Sequence, residues 1–315
     1  MTQQIIPKHI LLLSSAENDE NTATNHAFVT SLNGMLGADA IKVEWQNYHN
    51  IGLELDEHGL TSFIVSTMQP LTSFDAVYFK SYFRYHEQAT AIAESLRAHN
   101  VTFVGKELQE YIPAYKLSQM ARLSRAGLPI PFTIYLPLEH YATNYEYLTK
   151  KLGDKFIFKA INGSTGDDNY LVTSIEQLQE IVAANPELHF IAQAFIPNDS
   201  DLRVLIVGID LKLIIKRSRH DDSTHLNNTS QGAHAELMDI AEFDEYSRSL
   251  SLKAAALMNR EVAGVDLMFE TGTGKPYILE VNASPQIASG SFAAEKLAVY
   301  AQYFKDLVAW TLRSH

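Results

Sequence analysis

The sequence predicts an α/β protein in three parts. An N-terminal open α/β lobe covers residues 1–112, a central α+β lobe covers 113–188, and a C-terminal α+β lobe covers 189–315. Three observations point there. From residue 8 to about 112, the β-rich runs HILLLSS, IKVEWQ, TSFIVS, AVYFKS and VTFVG are separated by polar stretches and by a helical segment around His86–His99. This alternation favours a mainly parallel layer. Pro113 then opens a helical stretch, AYKLSQMARLSRAG, in which Leu117, Met120, Ala121 and Leu123 recur near a 3.6 period before Gly127 and Pro129 end it. The last part brings adjacent strands together, FIAQAFI, DLRVLIVG, LKLIIKRSR, AGVDLMFE and KPYILEVNAS, as in an antiparallel sheet with helices on one side.

Between these landmarks the central lobe reads as a strand (PFTIYL), a helix at 140–151, two strands (FIFKAI, NYLVTS) and a helix at 174–184. The C-terminal lobe adds a polar loop at 220–234, a helix at 243–260 and a closing helix at 292–312. No internal repeat or low-complexity segment interrupts the chain.

At 315 residues with 46% apolar content, the chain is long enough for two or three lobes. Lys and Arg number 25 against 37 Asp and Glu, a formal charge of −12. An acidic surface repels phosphate backbones and anionic lipid, so nucleic-acid and membrane-surface binding are disfavoured and any bound anion needs a local basic pocket. Cysteine is absent, which excludes disulfides, thiolate metal sites and cysteine nucleophiles. The apolar run Ile10–Leu13 is too short for a signal core, and no later stretch reaches the ~18 apolar residues of a membrane span. The expected location is the cytoplasm.

The most informative segment is AGVDLMFETGTGKPYILEVNASP. Its turn TGTGK carries two glycines, which supply the positive φ that such a turn needs. If Glu270 faces Pro276, Asp266 falls opposite Glu280, and Asn282 shares their face. Like charges directly opposed are destabilising. A hard divalent cation relieves the repulsion, and an all-oxygen set suits Mg²⁺. The alternative is that one acid faces solvent or pairs with a distant arginine.

Lys159 ends an otherwise apolar strand and is followed by the loop NGSTGDDN, in which Gly163 and Gly166 let backbone N–H groups approach an anion. A plain turn with a snorkelling lysine is the other reading. Lys116 lies in the first turns of the helix after Pro113, on either a binding or a solvated face. A two-residue turn at Gly208–Ile209 places Asp201 opposite Lys216 with Arg203 on the same face. That strip either grips an anion or forms an exposed salt-bridge ladder. The loop HDDSTHLNN, with His220, Asp221, Asp222 and His225, reads as a solvated flap in preference to a transition-metal site. No G-x-S-x-G element supports serine hydrolase chemistry. In the N-terminal lobe, Lys80 and Arg84 follow a strand, where open α/β sheets bind ligands. They either hold a substrate carboxylate or start a surface helix.

The strings AGVDLMFE and YILEVNASP, preceded by an internal lysine strand with its glycine loop and by SDLRVLIVG, resemble the ATP-grasp fold. They are most similar to RimK-type ligases, which add amino acids to protein or peptide carboxylates. The likeness covers residues 112–312 and includes YKLSQMARLSRAGLPIPFTI as the linker helix. It implies two α+β lobes clamping a nucleotide. Lys116 and Lys159 then contact ATP phosphates, with Ser164 and Gly166 in the loop between strands. Gln193, Ala194, Phe195 and Ile196 form the hinge at adenine, and Asp201 and Lys216 flank the nucleotide. Asp266, Glu280 and Asn282 hold Mg²⁺, with Mn²⁺ as a substitute. Arg203 and Asn228 face the transferring phosphate, and Ser284 joins Lys80 and Arg84 at the substrate. The chain departs from the family pattern at Asp167 and Asp168, which repel a triphosphate unless they point away, and in its flap HLNNTSQGA.

The implied reaction is attack of a carboxylate on the γ-phosphate of ATP, followed by attack of an amine on the acyl phosphate, releasing ADP and phosphate. The substrate is an amino acid, a peptide or a protein tail; ligases that this chain resembles often self-associate, and its own oligomeric state, a homo-oligomer among the options, stays open. Two alternatives stay open: a kinase acting on an alcohol, and a non-catalytic nucleotide-binding module.

Overall fold

The apolar run near the N-terminus becomes the inner strand of a parallel sheet, with Ile10, Leu11, Leu12 and Leu13 all fully buried, as a strand covered on both faces requires. The computed structural model describes residues 7–37, 40–56, 59–109, 115–163, 168–218, 234–286 and 290–311. Ser164, Gly166, Asn228 and the loop HDDSTHLNN lie outside the described residues.

The N-terminal lobe runs β1 (Lys8–Ser14), α1 (Asp19–Leu36), β2 (Ile41–Gln46), β3 (Ile51–Asp56), β4 (Gly59–Ile64), β5 (Gln69–Pro70), β6 (Ala76–Lys80), α2 (His86–Ala98) and β7 (Thr102–Val104). Its sheet has the order β2-β1-β6-β7 and is parallel throughout. Along β1 the side chains alternate between two cores: Ile10 and Leu12 pack with Phe28 and Leu32 of α1, and Leu11 and Leu13 with Ile92 and Leu96 of α2.

Two features differ from the sequence expectation. The run TSFIVS is not a member of this layer; it supplies β4, which pairs antiparallel with β3 and β5 in a separate sheet. Its burial is one-sided, with Ser62 and Ile64 inside and Gly59 and Thr61 exposed, the pattern of an antiparallel strand with one wet face. The segment after β1 forms an unanticipated helix, α1, capped by the Asn18 side chain, which accepts from the Asn21 N–H at 2.8 Å.

The central lobe holds α3 (Lys116–Arg125), β8 (Thr133–Ile134), α4 (Tyr145–Leu152), β9 (Phe156–Ala160), β10 (Asn169–Val172), α5 (Ile175–Ala184) and β11 (Phe190–Ala194). Its sheet order is β10-β9-β11-β8. The run FIAQAFI therefore belongs to this sheet, and the boundary expected at 188/189 falls short. The chain leaves the central sheet only after Ala194, because β11 pairs with β9 along its whole length. Phe158 and Phe190 stack across that pair, centroids 4.4 Å apart.

The C-terminal lobe comprises β12 (Ser200–Val207), β13 (Asp210–Ser218), β14 (His234–Met238), α6 (Glu245–Leu257), β15 (Val262–Phe269), β16 (Pro276–Asn282) and α7 (Ala293–Thr311). The sheet is antiparallel in the order β14-β13-β12-β15-β16. Helix α6 covers one face through Ala254 and Ala255 against Val204, Ile206, Val265 and Leu267. The other face is covered too, in part: Leu205 and Val207 pack with Tyr300 and Phe304 of α7 in the core that also holds β1 and α1. The closing helix thus joins the first and last lobes, where the sequence pattern had placed helices on one side only. Among the described residues, no helix is long and apolar enough to cross a membrane.

Candidate active site

Two β-bulges decide which side chains meet on the C-terminal sheet. In the β15/β16 hairpin the partner of Pro276 is Phe269, one residue short of the expected Glu270. The pairing then shifts between Leu267 and Asp266, with Leu279 as the extra residue on β16, and beyond the bulge Asp266 stands opposite Glu280 and Gly264 opposite Asn282. Burial along β16 shows the break directly, since Leu279 and Glu280 are consecutive half-buried residues between buried Ile278 and Val281. The acid pair is where the sequence put it, through two offsets that cancel.

In the β12/β13 hairpin the outcome reverses. Val207 pairs with Asp210, so the two-residue turn is as expected, but a bulge between Leu205 and Ile206 places Arg217, not Lys216, opposite Asp201. Lys216 turns to the other face and pairs with Glu236 at 3.1 Å, both side chains well exposed. Arg217 is only 7% exposed and was not anticipated. An arginine adjoining a predicted lysine is a signal that only the bulge could reveal.

The buried acids and arginines form one cluster. Arg203 binds Asp266 through two bonds, Nε to Oδ1 and Nη2 to Oδ2, the latter at 2.8 Å. Arg217 donates through Nε to Asp201 at 2.6 Å and lies 3.2 Å from Asp266 through Nη2. Burial works against ionised Asp266, yet Arg203 and Arg217 hold its carboxyl below the ordinary value. Asp201 is pushed up to about 6 by burial, with Asp266 adding to the rise and Arg217 opposing it. Asp201 therefore braces Arg217. The charge repulsion that the sequence assigned to a metal is relieved here in part by arginines of the neighbouring strands.

Opposite this cluster lies Lys159 of β9, 9% exposed. Its ammonium is pushed down to about 8, first by burial and then by nearby Lys116, while Glu280 and Asp266 pull it up. Lys116, Glu280 and Asp266 are thus each within electrostatic reach of Lys159. Lys116 opens α3, where its backbone N–H donates to Ile161 at 3.1 Å and its ammonium donates to the Gly163 carbonyl. Asp168, at φ +51°, accepts from the Tyr170 hydroxyl at 3.2 Å.

The expected hinge is partly committed to the fold. Gln193 is buried, with its amide on Thr133 Oγ1 at 2.8 Å. The Ala194 N–H donates to Phe132 at 2.9 Å, and the Ile196 carbonyl accepts from Asn198 at 2.8 Å. Lys155 lies 4.3 Å over the Phe195 ring.

Lys80 and Arg84 do not come together. Arg84 is at the surface on Glu17, at 2.8 Å with a side chain 75% exposed. Ser81, at φ +51°, turns the chain between them, leaving the Lys80 ammonium on buried Asn25 at 3.0 Å. Burial with no acid at hand pushes Lys80 down to about 8. Ser284 Oγ accepts from the Ser81 N–H at 2.8 Å and so ties the EVNASP segment to the end of β6. Arg203 and Arg217 also share a small cavity with Pro285, Gln286, Ser291 and Lys296. Lys296, a second unanticipated cation, is pushed down to about 8 by burial and by Arg203.

Among the described residues no three acidic or histidine side chains form a closed metal cage. What the β15/β16 register does bring to one face is two carboxylates and an amide, and among the described residues Glu280 has no ion-pair partner. Although the Asp266 oxygens are engaged by arginines, this all-oxygen set fits Mg²⁺, which keeps waters and takes substrate phosphate oxygens into its shell.

The comparisons agree with this geometry. The RimK-like ATP-grasp domain family matches residues 114–298. The chain is 24% identical over 220 residues, 69% of its length and 70% of the relative's, to a probable alpha-L-glutamate ligase of Legionella pneumophila. It is 31% identical over 176 residues, 54% and 55% of the two chains, to the ribosomal protein bS6–L-glutamate ligase of Escherichia fergusonii. In fold it resembles the D-alanine–D-alanine ligase of Bacillus anthracis complexed with ATP, at TM-score 0.70 and 16% identity over 98% of each chain. It also resembles the ATP-grasp ligase PsnB complexed with a precursor variant, Mg and ADP, at TM-score 0.68 and 16% identity over 95% of this chain and 99% of that one. Fold and relatives define the class, an ATP-dependent carboxylate–amine ligase. Within that class, the chain belongs to the RimK-like ATP-grasp family.

Proposed function

We propose that this protein activates a carboxylate of an amino acid, peptide or protein tail as an acyl phosphate and couples it to an amine, with the central and C-terminal lobes closing on Mg-ATP. The observation that carries this reading is the shared electrostatic neighbourhood of Lys159, Lys116, Glu280 and Asp266, two cations and two anions from separate lobes.

In this reading Lys159 and Lys116 bind triphosphate oxygens. Asp266, Glu280 and Asn282 would hold a divalent cation, Mg²⁺ or Mn²⁺ in its place, which neutralises charge on the phosphates. Arg203, oriented by its two bonds to Asp266, supplies positive charge to the phosphoryl group as the carboxylate attacks the γ-phosphorus and ADP departs. Such transfer depends mostly on positioning and charge neutralisation. The amine then attacks the acyl carbon, its proton is lost, and inorganic phosphate leaves as the amide forms. Lys80, with its ammonium on a neutral partner, is the cation we assign to a substrate carboxylate, with Ser284 beside it. Arg84 is not assigned there. The protein acts in the cytoplasm.

The experiment is hydroxylamine trapping with purified protein, Mg-ATP and pools of amino acids and peptides. Hydroxamate together with ADP is the expected result. ADP with a stable phosphorylated alcohol would mark a kinase instead, and nucleotide-dependent stabilisation without ADP from any pool would mark a binding module.

A further inference from the structure

The residue between Glu280 and Asn282 is held from behind by two side chains outside the proposed metal-holding set. Strand β16 is the outer strand of its sheet, so the groups of Val281 that do not bond to β15 have no strand to pair with. Two buried side chains take that place. Gln119 Oε1, from α3, accepts the Val281 N–H at 2.9 Å, and Arg260 Nη1, just beyond α6, donates to the Val281 carbonyl. Gln119 is 2% and Arg260 3% exposed. At that depth an unpaired N–H and C=O would each carry a full desolvation cost.

Arg260 is committed to this carbonyl: among the described residues its Nε and Nη2 have no hydrogen-bond partner. Its countercharge comes from the N-terminal lobe. Glu107, 4% exposed, accepts from the Tyr82 hydroxyl at 2.6 Å. Burial pushes the Glu107 carboxyl up, and Tyr82 and Arg260 pull it back. Removing either charge takes away part of what offsets the burial of the other.

The bulge at Leu279 gives the arrangement a purpose. A bulged strand twists and bends, and Glu280 and Asn282 follow directly after it on a strand with one free edge. We infer that Gln119 and Arg260, the latter backed by Glu107 and Tyr82, are positioning residues that fix β16 beyond its bulge so that Glu280 and Asn282 converge with Asp266 on the metal. This rests on the reading of those three residues as the metal-holding set.

The test is Mn²⁺ binding to the full chain in the presence of AMP-PNP, followed by electron paramagnetic resonance. The variants are Gln119→Leu, Arg260→Lys, and the double change Arg260→Met with Glu107→Gln, which removes both buried charges at once. Gln119→Leu and the double variant are expected to raise the Mn²⁺ Kd about tenfold, the lower end of what loss of an outer-sphere partner does. AMP-PNP affinity measured in EDTA stays unchanged, and Arg260→Lys, which keeps a donor, binds Mn²⁺ more tightly than the double variant. An unaltered Mn²⁺ Kd in folded Gln119→Leu and in the double variant overturns the inference. So does an equal loss of metal and nucleotide affinity, which would indicate general loosening of the lobe. Failure of the unsubstituted protein to bind Mn²⁺ with AMP-PNP overturns the metal reading itself and the inference with it.

Discussion

Arg203 lies side-on against Asp266 across a registered pair of neighbouring strands, with Nη2 donating to Oδ2 at 2.8 Å. The contact needs a gap beside it. Gly264, two residues before Asp266, provides one, since a Cβ there would stand 2.9 Å from Arg203 Cδ and 3.0 Å from Pro285 Cβ.

Gly264→Ala is therefore expected to displace the Arg203 stem and lower kcat/KM, with a stability loss of about 1–3 kcal/mol from overpacking. Steady-state kinetics and thermal unfolding of the same preparation check it. Wild-type kinetics in the variant would show that Arg203 needs no such gap.

The two acids differ in what else they do. Among the described residues Glu280 has no ion-pair partner, whereas Asp266 is held by two arginines. Glu280→Gln should remove metal-dependent ADP formation and leave the unfolding midpoint nearly unchanged. Asp266→Asn should remove activity and also cost about 3–5 kcal/mol, because it leaves buried arginines without their anion. Urea denaturation of both variants separates the two effects, and equal destabilisation would contradict the difference in partners.

Lys216 and Arg217 are neighbours in sequence with opposite surroundings. Arg217→Met breaks a buried pair with Asp201 and is expected to cost about 3–5 kcal/mol. Lys216→Met removes an exposed pair with Glu236 and should stay within about 0.5 kcal/mol of wild type. Comparable losses at the two positions would mean the bulge in β12/β13 is misplaced.

Lys159 gives a pH dependence. Burial first, and then Lys116, bring its ammonium down to about 8. As pH rises through about 8 the charge is lost, so the KM for ATP should rise and nucleotide binding in that range should take up protons. Stability moves the other way. The unfolded lysine stays protonated up to its ordinary value of 10.5, so the unfolded chain binds more protons between these values and the fold gains stability as pH climbs through them. Lys159→Arg, which keeps its charge throughout, should flatten the KM profile. A flat profile in the unsubstituted protein would count against a phosphate role for Lys159.

Much of the fold was legible because hydrophobic periodicity is local. The linker helix with Lys116, the helices around residues 86–98 and 175–184, and the runs that became β12, β13, β15 and β16 follow from patterns of a few residues. The α1 helix was hidden in a largely polar stretch whose apolar Phe28, Val29, Leu32 and Leu36 face the core. TSFIVS has strand composition, but nothing local says which sheet a strand joins. The two hairpins expose the same limit. A turn can be read from its glycines, but a bulge arises from twist and packing and shifts every partner beyond it. One bulge restored Asp266 to Glu280, and the other replaced Lys216 by Arg217.

The chain alone determined its class. The acidic balance and the absence of cysteine only excluded other chemistry, whereas the lysine strand with its glycine loop, SDLRVLIVG and the EVNASP segment carry the resemblance to ATP-grasp ligases, because these are residue types in fixed order along a few strands. Only the tertiary structure decided which groups share a charge environment: Arg217 and Lys296 beside Arg203, Lys80 apart from Arg84, and Gln119 and Arg260 behind Val281. Burial and Coulomb interactions depend on distance through space, and those distances are set by how the sheets register and how the lobes pack.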